Sequence, residues 1–238
     1  MDTRDFLVPD NYADFHCKCG QCRHTCCDGW AVTFPREDYF RLLSVPCSPE
    51  LRRKLDTSLH LADDPTPERY AELLPNWEGH CPLQRADGLC ALQAECGEEA
   101  ISSTCRYYPR GIRTMDDDEC SCSASCERVV AMLLHGEQAG AVLQQAAGTF
   151  QADTPDWMIG TEQLMVNHVF YEGFPYGAHQ ERPATAAVSL CAEYAVLRGT
   201  AVLYHQLHPD ETALVDAIAA LFRVMEHSAF GWNAAVVL

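Results

Sequence analysis

Positive charge is scarce in this sequence. Seventeen Lys and Arg stand against 34 Asp and Glu, for a formal net charge of −17. Nucleic-acid binding normally leaves a basic footprint, so no nucleic-acid partner is expected. An acidic surface suits a basic partner, including a protein that presents lysines, although simple solubility accounts for most such charges. No run approaches ~18 uninterrupted apolar residues, so no membrane span is expected. Met1–Pro9 holds no basic stretch leading into an apolar one, so no secretory signal is expected either. The chain is therefore read as cytoplasmic. Internal repeats and low-complexity tracts are absent as well.

What the sequence has in excess is cysteine: fourteen in 238 residues. With 47% apolar residues the chain can build a real core, so it does not need the disulfide scaffold of short secreted domains. In a cytosolic chain thiols stay reduced, and clustered cysteines are more often metal ligands or catalysts. The density peaks between Phe15 and Trp30, where Cys17, Cys19, Cys22, Cys26 and Cys27 follow a C-x-C-x2-C-x3-C-C pattern, with Gly20 and Gly29 to supply bends. Structural zinc sites usually pair two C-x-x-C units across a regular spacer, and this pattern is different. Cys81, Cys90, Cys105 and Cys126 arrive singly from later loops. Together with Cys17, Cys22, Cys26 and Cys27 they make eight thiolates from dispersed loops, able to hold an iron–sulfur cluster, or a zinc plus a cluster. Cys19, Cys47, Cys96, Cys120, Cys122 and Cys191 are weaker candidates. Cys191, inside a helical stretch, reads as an ordinary core residue, and Cys47, beside Pro46, as loop packing.

The expected fold is mostly α, with an irregular cysteine-rich metal-binding half packed against a helical half. The division is placed at residues 1–126 and 127–238, where cysteine gives way to helical periodicity; one continuous domain is the alternative. In the first region Ala31–Phe34 reads as extended. Pro35 then opens a helix over about Arg36–Ser44. Pro49 starts a second helix over Glu50–His60, and Asp87-Gly88 marks a tight turn before Cys90. Ala91–Thr104 reads as partly helical, and the acidic run Asp116–Glu119 as a solvated loop. In the second region Val129, Val130, Leu133 and Leu134 share a helix face. A break spans Gly148–Pro155, helices cover Thr161–Tyr171 and Ala184–His205, and Phe174–Gly177 is a loop. A final helix is capped near Asp210 and runs to about His227, with Leu214, Ile218, Leu221, Phe222 and Met225 on one face.

The run Phe15-x-Cys17-x4-Cys22-x3-Cys26-Cys27-x-Gly29-Trp30 resembles the opening motif of the flagellin lysine-N-methylase family, within a broader group of zinc- or iron-chelating cysteine-cluster proteins. The resemblance continues through Cys81-Pro82-Leu83, Asp87-Gly88-Leu89-Cys90-x-Leu92-Gln93, Gly97-Glu98, Ser102-x-Thr104-Cys105-x-x-Tyr108-Pro109-Arg110 and Ser125-Cys126-Glu127. In the tail it runs through Glu162, Asn167, Phe174-Pro175, Tyr194, Leu197-Arg198 and Arg223, Glu226-His227. It implies methyl transfer from S-adenosylmethionine to a lysine of flagellin or another protein, and an iron–sulfur cluster of the 4Fe–4S type held by cysteines. The residues alone leave two other readings open: a non-enzymatic zinc- or iron-binding protein, and an iron–sulfur redox protein. No G-x-G motif is present, which argues against an ordinary βαβ nucleotide-binding methyltransferase. The C-x3-C-x2-C spacing of radical S-adenosylmethionine enzymes is absent too; Cys19-x2-Cys22-x3-Cys26 has the spacings reversed. Catalytic and cofactor-binding residues are not assigned. Tyr107, Tyr108, His80 and Glu98 read as packing or capping residues, and Arg106 and Arg110 as donors that could hydrogen-bond thiolates. Arg223, Glu226 and His227 read as neighbours within one helix turn.

Overall fold

The protein is described from a computed structural model, which covers residues 8–114, 118–135, 164–165, 167–168, 183–208, 210–228 and 230. The expected features over Gly148–Pro155, most of Thr161–Tyr171 and Phe174–Gly177 lie outside the described residues. Two compact units divide the chain. One is Lys18–Tyr108; the other joins Met1–Cys17 to Pro109–Leu238. Neither boundary falls at the compositional shift near Cys126.

In the unit Lys18–Tyr108, three short strands form one antiparallel sheet: β1 (Val32–Phe34), β2 (Leu59–Leu61) and β3 (Ala71–Leu73). β3 lies between the other two, with Thr33 opposite Glu72 on one side and His60 opposite Glu72 on the other. Helices α1 (Arg36–Ser44) and α2 (Pro49–Ser58) separate β1 from β2. Ser48 caps α2 by accepting from the Leu51 amide at 3.2 Å, and Pro49 follows it at the first helical position. Arg52 of α2 donates to the carbonyls of Leu42 and Val45 at 3.0 and 2.7 Å, which satisfies oxygens left open at the end of α1. Leu51 and Leu55, one helical turn apart, are buried. The helix stops at Ser58 instead of reaching His60, because Leu59–Leu61 pairs with β3. Val32, Phe34, Leu42, Leu51, Leu55, Leu73, Leu83 and Leu92 share one apolar core. Short helices α3 (Ala91–Cys96) and α4 (Ser103–Tyr107) complete the unit.

In the other unit, strands β4 (Arg110–Thr114) and β5 (Asp118–Cys122) pair antiparallel, with Arg110 opposite Cys122. The expected loop over Asp116–Glu119 is corrected here: Asp118 and Glu119 pair with Thr114 and Arg113. Helices α5 (Glu127–His135), α6 (Pro183–Leu207) and α7 (Glu211–Glu226) follow. All four of Val129, Val130, Leu133 and Leu134 are buried, as are Leu214, Ile218, Phe222 and Met225, and Leu221 packs against the same core. Asp210 caps α7 by accepting from the Thr212 amide at 3.1 Å. Among the described residues, one stretch, Ala186–Leu207 of α6, is long and apolar enough to cross a membrane by length and composition. That test is passed without an unbroken apolar run, which is why the sequence did not flag it. Within the stretch Glu193 is buried against His168 and Leu197 and Ala201 are buried in the core, while Val188, Val196, Leu203 and Leu207 are exposed. Cys191 sits on α6 as expected but is exposed, so the core reading fails for it. The buried residues Ser189, Ala192, Glu193, Leu197 and Ala201 mark the inward face, and Cys191 lies off it.

Candidate functional site

Backbone pairing gathers thiols in the unit Lys18–Tyr108. Residues 27–29 run antiparallel to residues 79–81: the Cys81 amide donates to the Cys27 carbonyl at 2.7 Å, and the Gly29 amide to the Gly79 carbonyl at 2.9 Å. Asp28 and His80 bridge across this pairing, and their side chains meet at 2.6 Å between Nδ1 and Oδ1. Cys27 and Cys81 are thereby held side by side. Thr25 Oγ1 accepts from both the Cys27 amide (3.1 Å) and Gln84 Nε2 (2.9 Å), tying the two strands of chain together.

The chain then turns tightly at Asp87-Gly88, as its sequence predicts. The Arg85 amide donates to the Leu89 carbonyl at 2.8 Å, and Gln84 bridges Cys90. Gly88 takes φ +79°, the left-handed region that glycine tolerates. Gly20 packs onto this turn so closely that a Cβ on it would stand 2.5 Å from the Asp87 carbonyl oxygen. That contact lays the cysteine-rich loop, through the 3-10 turn Cys19–Gln21, against the segment that delivers Cys90. Cys90 immediately precedes α3. Cys105 comes from α4, which Ser102 caps by accepting from the Thr104 amide at 3.2 Å, while the Ser102 hydroxyl donates to the Thr33 carbonyl of β1 at 2.7 Å.

Cys27, Cys81 and Cys105 each feel the neighbouring thiols. A hydrogen bond from Cys26 favours the Cys27 thiolate, but the Cys81 hydrogen bond, burial and the charges of Cys81 and Cys90 outweigh it and push the Cys27 thiol up to about 12. Cys81 moves the opposite way, lowered first by the Cys27 hydrogen bond. The hydrogen bond between the two thus favours the thiolate at Cys81 and the thiol at Cys27. Cys105 is exposed as a residue, yet burial of its thiol together with Cys26, Cys27 and Cys90 raises it to about 12. Cys26, Cys27, Cys81, Cys90 and Cys105 are therefore brought together. Cys22 ends the Cys19–Gln21 turn, and Cys17 and Cys126 belong to the other compact unit. Among the described residues, no group of three or more His, Cys, Asp or Glu side chains is arranged to hold a metal ion. The donor set is nevertheless all sulfur, which suits a soft metal or an iron–sulfur cluster.

Several expected neighbours have other work. Arg106 pairs with Glu99 at 3.1 Å and donates to the Glu98 carbonyl at 3.2 Å. Tyr108 stacks edge-on against Trp30, with centroids 5.0 Å apart. Arg110 lies over the rings of Tyr12 and Phe15, at 5.7 and 5.0 Å; burial pushes the Cys120 and Cys122 thiols up, and the Arg110 charge only partly offsets it.

A second polar centre lies in the other unit. The Glu226 side chain is wholly buried. It accepts from the Ala124 and Ser125 amides, both at 3.2 Å, and from the Ser123 hydroxyl. His168 stands between Glu226 (Nδ1 to Oε1, 3.3 Å) and Glu193 (Nε2 to Oε2, 3.2 Å). Arg223 Nε donates to the Ser125 carbonyl at 3.3 Å, and His227 Nε2 meets the Ser125 hydroxyl at 3.1 Å. Arg223, Glu226 and His227 thus converge on the Ser123–Ser125 turn, and are not simply neighbours on their own helix. Sequence reasoning missed His168 and Glu193. The available signal was a titratable residue in each of two apolar helical stretches, which is also the pattern of a solvated helix face.

Residues 118–233 match the FliB lysine N-methylase C-terminal domain. Over this part the chain is similar to the lysine N-methylases, at modest identity. It is 28% identical over 133 residues to the lysine-N-methylase of Salmonella typhimurium, covering 55% of this chain and 33% of that protein. It is 28% identical over 130 residues to the flagellar biosynthetic protein FliU of Salmonella muenchen, covering 54% of this chain and 76% of that one. The chain thus spans about a third of the Salmonella typhimurium methylase's length. No solved structure matches it. The domain shared with the lysine N-methylases contains all of the Glu226–His168–Glu193 centre, while the five gathered thiols precede it.

Proposed function

We propose that this chain acts in S-adenosylmethionine-dependent methylation of a protein lysine, with flagellin as the acceptor class, and that an iron–sulfur cluster or zinc is held by Cys26, Cys27, Cys81, Cys90 and Cys105. Cys22, in the same compact unit, is a further candidate ligand. The observation that carries the metal reading is the convergence of five thiols from four separate segments. The methylation reading rests on the shared lysine N-methylase domain.

The gathered thiols suit the role chemically. Neutral thiols are favoured by burial at Cys105 and by the Cys81 hydrogen bond at Cys27, so a soft cation that replaces their protons relieves the crowding of sulfur charge. S-adenosylmethionine supplies the methyl group when bound, as a sulfonium. The acceptor lysine must arrive neutral, against an ordinary pKa of about 10.4, which calls for a desolvated approach or a nearby base. The net charge of −17 favours encounter with a lysine-bearing partner.

The test is methyl transfer from labelled S-adenosylmethionine to purified flagellin by anaerobically prepared protein. Mono-, di- or trimethyl-lysine on the acceptor supports the reading. Colourless protein with stoichiometric zinc and no transfer overturns it in favour of a non-enzymatic zinc protein.

A further inference from the structure

Two cysteines outside the gathered thiols lie near each other at the far end of α3. Cys96 is its last residue, and Cys47 lies in the link between α1 and α2, just before the Ser48 cap. The Cys96 thiol donates to the carbonyl oxygen of Pro46 at 3.5 Å. One residue on, the Ser48 amide and hydroxyl donate to the two carboxylate oxygens of Glu95 at 2.9 and 3.1 Å. Residues 46 and 48 therefore contact residues 96 and 95, and Cys47 is bracketed between them. A carbonyl oxygen lies about 2.8 Å from the next Cα in a trans peptide. The Cys96 sulfur is thus within about 6.3 Å of the Cys47 Cα, so rotation of the two side chains about their staggered positions can bring the sulfurs towards each other. Both residues pack on the edge of the same apolar core and both are partly exposed. The Cys96 thiol is held up by burial and then by the Cys47 charge, in keeping with their closeness.

We infer that Cys47 and Cys96 are a dithiol that closes to an intramolecular disulfide under oxidation by a low-molecular-weight disulfide such as oxidised glutathione. The Cys47 thiolate attacks one sulfur of the oxidant, which leaves as one thiolate. The Cys96 thiolate then attacks Cys47 in the mixed disulfide and expels the second. Two protein thiols lose two electrons, the oxidant becomes two thiols, and the protons of Cys47 and Cys96 pass to them. The bond would tether the α1–α2 link to α3, the helix that begins right after Cys90. It neither requires nor uses the five gathered thiols, so it stands or falls apart from the metal reading.

The experiment incubates the full-length native protein with oxidised glutathione, blocks remaining thiols, digests it and maps linked peptides by mass spectrometry. The expected result is a Cys47–Cys96 linked peptide and a loss of two free thiols per chain. The link should be absent in Cys47→Ser and in Cys96→Ser and retained in Cys191→Ser, with protease resistance confirming that each variant is folded. Glutathione adducts without a link, links from either residue to another cysteine, or no reaction overturn the inference.

Discussion

Glu226 is the single residue with most depending on it, since one buried carboxylate accepts from two amides and a hydroxyl and faces His168. Removing one member of a buried ionic group leaves the others unpaired, at a cost of about 3–5 kcal/mol. Glu226→Ala should lower the denaturant midpoint by a corresponding amount, and Glu226→Gln, which keeps shape and an acceptor oxygen, by less; equal midpoints for wild type and Glu226→Ala would contradict the assignment. His168 adds a pH signature. Burial alone would lower its pKa, but the hydrogen bonds and charges of Glu193 and Glu226 outweigh it and raise it from 6.5 to about 10. A raised folded-state pKa contributes stability that is complete below 6.5 and is lost as pH climbs towards 10. Among the described residues, those two carboxylates and Phe222 face the ring. Thermal unfolding followed from pH 6 to pH 10 should show this decline, and it should flatten in Glu193→Gln. A stability that rises through that window would refute the pairing.

At the level of elements, the helices were legible where a cap or an apolar stripe stood in the sequence. Pro35 and Arg36–Ser44 gave α1 its bounds, Asp210 began α7, and Val129–Leu134 carried α5. The strands were not. Leu59-His60-Leu61 reads as the last turn of α2 until β3 arrives from ten residues on, and Asp118–Glu119 reads as solvent-facing until β4 pairs with it. Pairing with a remote partner leaves no local period of its own. Cysteine positions were legible as a set, while their grouping was not, because it depends on the 27–29 and 79–81 pairing. The Gly20 contact on the Asp87-Gly88 turn gives a prediction at this scale. Gly20→Ala places a methyl 2.5 Å from the Asp87 carbonyl oxygen, and overpacking of this kind costs typically about 1–3 kcal/mol. Metal per chain, measured by elemental analysis, should fall in that variant because the loop is pushed away from the Cys90 segment. Full metal retention would show that the contact does not position the thiols.

For the molecule as a whole, the central proposal is that the thiols of Lys18–Tyr108 hold a soft metal centre in a chain whose residues 118–233 match the FliB lysine N-methylase C-terminal domain. Metal binding at such thiols doubles as folding free energy, so ligand loss should reduce both metal and order in that unit. The most direct measurement is metal and sulfide per chain, with absorption near 400 nm, on anaerobically purified wild type, Cys27→Ser, Cys81→Ser and Cys191→Ser. Serine keeps the size and loses the soft donor. The account predicts a brown wild type, sharply reduced iron and protease resistance in Cys27→Ser and Cys81→Ser, and an unchanged centre in Cys191→Ser, whose thiol lies exposed on α6. Full metal in Cys27→Ser and Cys81→Ser, with loss in Cys191→Ser, would contradict it.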